Sequence, residues 1–120
     1  RDYAPNRAFW VQGEAMTDIC MVFVTAPDEE CAVSIAQAVV AERLAACGNL
    51  IPGIRSIYRW KDEVCDDSEA LVLFKTTRAG FAALTDRIVA LHPYDCPEVI
   101  ALDVKDGHEA YLRWVADQLG

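Results

Sequence analysis

His92 and Cys96 are the two side chains of this sequence that best match the ligands of a soft metal ion. They lie four residues apart, and each is followed by a proline. A turn in this segment would bring imidazole and thiolate together, a ligand pair that suits copper(I), and a neutral imidazole also binds divalent copper or zinc. Two ligands do not close a site, since structural zinc takes four. The alternatives are that His92 is a cation that complements the C-terminus of a helix, and that Cys96 is an unligated loop thiol.

A second group of residues has the composition of a small-ligand pocket. Tyr58 and Trp60 share one face of a predicted strand, and Lys75 lies near the end of the strand that follows. Tyr94 and Glu98 belong to the Pro-Tyr-Asp-Cys-Pro-Glu segment. Aromatic walls with one cation and one carboxylate are typical of a ligand-binding crevice. Because tyrosine and tryptophan are also enriched in interface cores, the alternative is that these residues hold subunits together.

The composition argues against several partners and reaction classes. The chain has 120 residues, a formal charge of −8 and a pI of about 4.6. This charge repels phosphate backbones and anionic membranes, so we expect neither nucleic acid nor a membrane as partner. The sequence contains no Gly-x-Gly-x-x-Gly fingerprint, no P-loop and no Gly-x-Ser-x-Gly elbow. We therefore predict a protein that is not an enzyme and has no organic cofactor.

The cysteines indicate a reducing compartment. The chain has 5 of them, an odd number, and they form neither a Cys-x-x-Cys pair nor a zinc-type spacing. Unpaired thiols persist in the reducing cytoplasm, which we predict as the location of the chain.

The length suits a single domain. Residues 1–15 lack the apolar stretch of a signal peptide, and Met16 resembles a natural start. We expect residues 1–15 to be a disordered N-terminal extension or a remnant of expression, and residues 16–120 to form the domain.

Hydropathy patterns predict the elements that position these side chains. Residues 19–24 are an apolar run that ends at Thr-Ala-Pro, which is typical of a buried strand. The acidic residues 28–30 favour the start of a helix, whose apolar spacing continues to about Ala46. Residues 50–60 have a period of two, and Pro52-Gly53 predicts a bulge or bend within this strand.

The second half of the chain repeats the alternation. The predicted elements are a polar hairpin tip at 61–63, a strand at 69–77, a helix at 78–91, a strand at 99–102 and a short terminal helix that contains Tyr111, Leu112 and Val115. The order β-α-β-β-α-β predicts an α+β protein with a ferredoxin-like antiparallel sheet and an extra C-terminal helix.

The strands predict self-association. Those at 19–24, 70–74 and 99–102 show no polar alternation, so both faces of the sheet are apolar. In this fold the two long helices cover one face, and an apolar patch as large as the other face is rarely left in water. The long strand at 50–60 would also leave an exposed edge. We therefore expect an obligate oligomer.

Three segments resemble the CutA family of divalent-cation-tolerance proteins: TAPDEE at 25–30, AERLAACGNLIPGIRSIYRW at 41–60 and LHPYDCPEVIAL at 91–102. The resemblance implies a homotrimer in which long hairpins pair between subunits, a crevice between neighbouring subunits, and a role in the response to divalent metal ions. In this family metal binding is attributed to a cysteine before Thr-Ala-Pro and to histidines before Pro-Tyr. This sequence has Val24 and Leu91 at two of those positions and keeps only His92.

Two other functions stay open. One is a trimeric small-molecule sensor that resembles the PII signalling proteins, with its ligand in the crevice near Trp60 and Lys75. The other is a scaffold whose trimer anchors another protein.

Overall fold

The computed structural model describes residues 17–120, so the predictions for residues 1–15 and for a domain start at Met16 lie outside the described residues. The elements are β1 (Ile19–Ala26), α1 (Glu29–Ala41), β2 (Cys47–Trp60), β3 (Glu63–Thr77), α2 (Phe81–Leu91), β4 (Val99–Asp103) and α3 (Glu109–Gln118). The four strands form one antiparallel sheet in the order β2-β3-β1-β4. This confirms the α+β, ferredoxin-like prediction, including the added terminal helix. None of the helices described is long and apolar enough to span a membrane.

The main core lies between the sheet and the two long helices. Alternate residues of β1 and β3 point into it, as the two-residue period of a strand requires. The best-buried members are Val22, Val24, Val72, Phe74, Val39, Leu84 and Ile88, each at most 1% exposed. Both α1 and α2 therefore pack on the same face of the sheet.

Helix α1 begins as predicted and ends earlier than predicted. The Asp28 carboxylate accepts a hydrogen bond from the Cys31 amide at 2.8 Å and caps the first turn. At the other end Arg43 adopts a left-handed conformation with φ 62°. The Arg43 and Leu44 amides donate back to the carbonyls of Val40 and Val39, the pattern of a Schellman motif. The prediction that the helix reaches Ala46 is therefore wrong, because an arginine takes the place usually held by glycine.

The hairpin of β2 and β3 is longer than predicted. Its turn consists of Lys61 and Asp62, both with positive φ, which matches the twist of a two-residue hairpin. The bulge predicted at Pro52-Gly53 is confirmed by a register shift between Ile51 and Ile54. Strand β3 starts at Glu63, six residues before the predicted start, because its polar first half pairs with β2 along the whole ribbon.

Helix α2 starts at Phe81, three residues after the predicted start. The Arg78 amide donates to the carbonyl of Asp18 at 2.8 Å, and Gly80 closes a turn onto Thr77. These bonds hold residues 78–80 in a turn that continues the end of β3.

The face of the sheet opposite the two long helices is apolar and only partly covered. The strand register puts seven large apolar side chains on this open face: Met21, Phe23, Ile51, Leu71, Leu73, Ile100 and Leu102. Ile100 is 53% exposed and Leu102 is 54% exposed. Helix α3 covers one end only, where Leu112 and Val115 pack with Ile19 and Ala46.

Candidate functional site

A cavity of about 800 Å³ lies between the β2–β3 ribbon and the segment that follows α2. Four of the five residues predicted for a crevice line it: Tyr58, Trp60, Tyr94 and Glu98. Cys96, which belongs to the segment after α2, lines the same cavity. The structure therefore brings most of the predicted crevice together within a single subunit.

The ribbon contributes Tyr58 and Trp60, which alternate on one strand face. The Tyr58 hydroxyl donates to the Asp67 carboxylate at 2.5 Å, across the two strands. This hydrogen bond is the main reason that the pKa of Tyr58 rises to about 12, with burial and nearby acidic groups adding to it. Tyr58 is therefore a protonated donor at neutral pH and a poor general base.

The segment after α2 contributes Tyr94. Its hydroxyl donates to Oε2 of Glu69 at 2.8 Å, and Glu69 is only 7% exposed. Burial, followed by the hydrogen bond to Glu69, raises the pKa of Tyr94 well above its ordinary value. Glu69 was not predicted as a site residue. Its only sequence signal is a carboxylate placed directly before the apolar run of a buried strand.

The cavity carries more negative than positive charge. Glu69, Asp95 and Glu98 line it, and the cation among the lining residues is Arg55. The Arg55 guanidinium binds Asp66 through two hydrogen bonds of 2.8 and 2.7 Å. This pairing lowers the pKa of the Asp66 carboxyl and leaves the cavity acidic.

Lys75 lies away from the cavity. It follows Glu69 by six residues on the same strand, a separation of roughly 20 Å at the rise of an extended chain. Its ammonium donates to the Asn49 side chain, on the open face of the sheet. The structure thus separates Lys75 from the aromatic residues with which it was grouped.

His92 is the C-cap residue of α2 and is 8% exposed. Its Nδ1 accepts a hydrogen bond from the Tyr94 amide at 3.1 Å, and its Nε2 lies 2.7 Å from the Thr25 carbonyl oxygen. Because an amide can only donate and a carbonyl can only accept, the ring is neutral and carries its proton on Nε2. Neither the metal ligand nor the cationic helix cap predicted for His92 fits this arrangement.

Cys96 is exposed on the wall of the cavity. Within residues 17–120, no group of three or more His, Cys, Asp and Glu side chains is arranged to hold a metal ion. A copper site built from His92 and Cys96 of one subunit therefore has one accessible ligand, the Cys96 thiol, which does not fit a closed site.

The chain is similar to proteins of one family along almost all of its described length. The family model of the CutA1 divalent ion tolerance protein matches residues 20–118. The divalent-cation tolerance protein CutA of Thermus thermophilus is 50% identical over 100 residues, covering 83% of this chain and 97% of the relative. Protein CutA of Homo sapiens is 52% identical over 97 residues, covering 81% of this chain but only 54% of the relative.

Solved structures show the same similarity. The Thermus thermophilus divalent cation tolerance protein matches with a TM-score of 0.83 at 49% identity, covering 85% of this chain and 99% of that one. A protein of Archaeoglobus fulgidus described as periplasmic matches with a TM-score of 0.81 at 30% identity, covering 83% and 97%. An Arabidopsis thaliana relative described as chloroplastic is 44% identical over 95 residues, covering 79% of this chain and 52% of the relative.

Proposed function

The chain belongs to the CutA1 divalent ion tolerance family, and from this premise we propose that it acts as a homotrimer in the cellular response to divalent metal ions. The proposed role is binding and not catalysis. In support, the two tyrosine hydroxyls of the crevice donate to carboxylates, and their raised pKa values keep them protonated at neutral pH, so neither is available there to accept a proton.

The single observation that carries the proposed self-association is the open face of the sheet, and the number of three copies is what the resemblance to the CutA family implies. Phe23, Leu73 and Ile100 lie side by side on it across three neighbouring strands, and none of the three belongs to a core cluster of residues 17–120. Burying such a patch against other copies removes apolar surface from water, which is the main driving force of association. Within residues 17–120 the sheet also ends in two unpaired edges, β2 and β4, and closure between copies would remove both.

The direct test of the trimer is its mass in solution. Sedimentation equilibrium and multi-angle light scattering should give three times the 13.3 kDa of one chain, independent of dilution over the micromolar range. A folded species of 13.3 kDa at working concentrations would exclude the proposal.

The sequence predicts copper, or another divalent cation, as the ion that the protein binds. We propose that Cys96 binds such an ion at the crevice, because it is a solvent-accessible soft ligand. Calorimetric titration of copper(I) and copper(II) into the wild type and Cys96→Ser tests this directly. Equal binding by the two proteins would remove Cys96 from the account.

Growth tests the cellular role. Expression of the chain in a bacterial strain that lacks its own relative should restore tolerance to copper salts. Unchanged sensitivity at matched expression would count against a role in the metal response.

A second candidate function is a small-molecule sensor, and the cavity between the β2–β3 ribbon and the segment after α2 favours it. At about 800 Å³ it has the size of a small-ligand site. Differential scanning fluorimetry with a panel of metabolites and nucleotides, on wild type and Trp60→Ala, is the test. Stabilisation of the wild type alone by one compound would support the sensor, and a panel with no effect would exclude ligands of those classes.

The cytoplasmic location stays a prediction that rests on the unpaired cysteines. The chloroplastic and periplasmic descriptions of two relatives apply to those proteins. Fractionation of the native host would decide the location of this one.

A further inference from the structure

We infer that His92 is a positioning residue and not a metal ligand: its neutral ring joins the end of β1 to the segment that walls the crevice. These contacts lie within one subunit, so the role of His92 does not depend on the proposed trimer. Both ring nitrogens are engaged in hydrogen bonds, which leaves none for the ligand role that the sequence predicts.

The sequence His-Pro-Tyr fixes the backbone around the ring. A proline restricts the residue before it to extended conformations. His92 accordingly has φ −79° and ψ 140°, while its amide still closes the last turn of α2 onto the Ile88 carbonyl at 2.9 Å. Pro93 has no amide proton, so the first backbone donor after the helix is the amide of Tyr94. That amide donates to Nδ1 of His92.

The other nitrogen extends the hydrogen bonding at the end of β1. Strand β4 pairs with β1 only as far as Val99, which lies opposite Val24. One residue further along β1, Nε2 of His92 donates to the Thr25 carbonyl oxygen at 2.7 Å. The imidazole therefore supplies a donor where the β4 ladder has stopped and where Pro97 limits further strand pairing.

These bonds continue into the wall of the crevice. The His92 and Tyr94 rings lie 4.7 Å apart between centroids, at a tilt of 51°. The Tyr94 hydroxyl then reaches Glu69 at the end of the buried part of β3. A connected path therefore runs from Thr25 through His92 and Tyr94 to Glu69, and it sets where the Tyr94 ring stands.

Metal ligation by His92 would break this path. A metal ion at Nδ1 would leave the Tyr94 amide without its acceptor, and a metal ion at Nε2 would displace the bond to Thr25. Both nitrogens are held inside a ring that is 8% exposed, so an ion would also have to enter a mostly buried position.

Three substitutions of His92 separate the hydrogen bond at Nδ1 from the hydrogen bond at Nε2. His92→Asn retains an acceptor near Nδ1, His92→Gln retains a donor near Nε2, and His92→Ala retains neither. Hydrogen exchange of the Tyr94 amide is the local readout. We expect His92→Ala to lower its protection about fivefold to tenfold, the factor for one lost hydrogen bond. His92→Asn should restore more of the protection than His92→Gln, and His108→Ala, at an exposed position, should leave it unchanged. Equal protection in all four variants would overturn the inference.

The tautomer and its response to metal are measured on the wild type. Nitrogen-15 NMR of the histidine rings at neutral pH should show a protonated Nε2 and an unprotonated Nδ1 for His92, and the same pattern after copper(I) is added. A cationic ring, or loss of the pattern on adding copper(I), would overturn the inference. The peptide signals of folded protein report that the sample is intact in every case.

Discussion

The hydroxyl of Tyr94 donates to the carboxylate of Glu69 at 2.8 Å, and this bond joins the segment after α2 to the buried end of β3 across 25 residues of sequence. Glu69 is 7% exposed and directly precedes Ala70, which is 1% exposed. The bond therefore lies at the boundary between the core and the crevice, where a buried carboxylate without a donor would be costly.

Removing that hydroxyl should destabilise the fold. Tyr94→Phe leaves Glu69 without its donor, and we expect a loss of about 1–3 kcal/mol in the free energy of unfolding. The matched control is Tyr58→Phe: because water reaches the exposed Asp67 carboxylate, the loss of stability should be clearly smaller than for Tyr94→Phe. Urea unfolding at one fixed protein concentration measures both. An equal loss of unfolding free energy in the two variants would show that the burial of Glu69 does not set the cost of losing its hydrogen bond.

At Arg43, the left-handed residue at the end of α1, we expect glycine to give a more stable protein than alanine does. The Arg43 side chain donates to the carbonyls of Gln118 at 2.8 Å and Asp117 at 3.2 Å, and so satisfies the C-terminus of α3. Arg43→Ala and Arg43→Gly both lose these bonds, but glycine removes the cost of a positive φ, about 1 kcal/mol. We expect the glycine variant to be the more stable of the two by about that amount, in contrast to the helix propensities of these residues.

Urea unfolding of the Arg43 pair at one protein concentration is the measurement. An alanine variant at least as stable as the glycine variant would contradict the prediction.

A charge on the open face should dissociate the assembly without unfolding the subunit. Ile100→Lys places an ammonium on the face that three copies are proposed to bury, and we expect the sedimenting mass to fall to that of one chain. Val89→Lys is the control, because Val89 is similarly exposed, at 46%, but lies on α2. Circular dichroism checks that both variants are folded. An unchanged mass for Ile100→Lys would place the interface elsewhere.

The Tyr58 phenol should lose its proton at a higher pH than an ordinary tyrosine does. Its pKa in the folded state is about 12, compared with an ordinary value of 10.0, so the folded state binds this proton more tightly than the unfolded chain does. The resulting stabilisation is present below pH 10 and is lost as the pH rises towards 12. Carbon-13 NMR of the tyrosine rings measures the titration. In Asp67→Asn the pKa should fall towards the ordinary value, and an unchanged pKa would assign the shift to a cause other than Asp67.

Most elements could be predicted because their apolar residues repeat with the period of a strand or a helix. The exceptions have local causes. Residues 44–46 continue the helical spacing of α1, yet the chain has already turned at Arg43, and an arginine in a left-handed conformation gives no sequence signal. The first half of β3 contains Asp66, Asp67 and Ser68, which read as a loop, and only their pairing with β2 makes them a strand.

The site could be predicted where its residues are close in sequence or on one strand face. The contact between His92 and Thr25 spans 67 residues, and the tautomer of the ring follows from that contact, so from the sequence alone both a metal ligand and a cationic helix cap stayed open. Lys75 joins Tyr58 and Trp60 in the predicted crevice because a cation beside aromatic walls is typical of a ligand site. The strand that carries Lys75 is long enough to place it on the open face instead.

Among the described residues, the distal part of the β2–β3 ribbon is exposed on both faces. Ile57 is 65% exposed and Val64 is 70% exposed on one face, and Tyr58 and Trp60 are also exposed on the other. A two-stranded ribbon alone is only marginally stable in water. The width of the crevice therefore depends on any molecule that packs against the ribbon. Because coupling between two binding sites is reciprocal, a molecule bound beside Trp60 and a neighbour packed against the ribbon would change each other's affinity by the same factor.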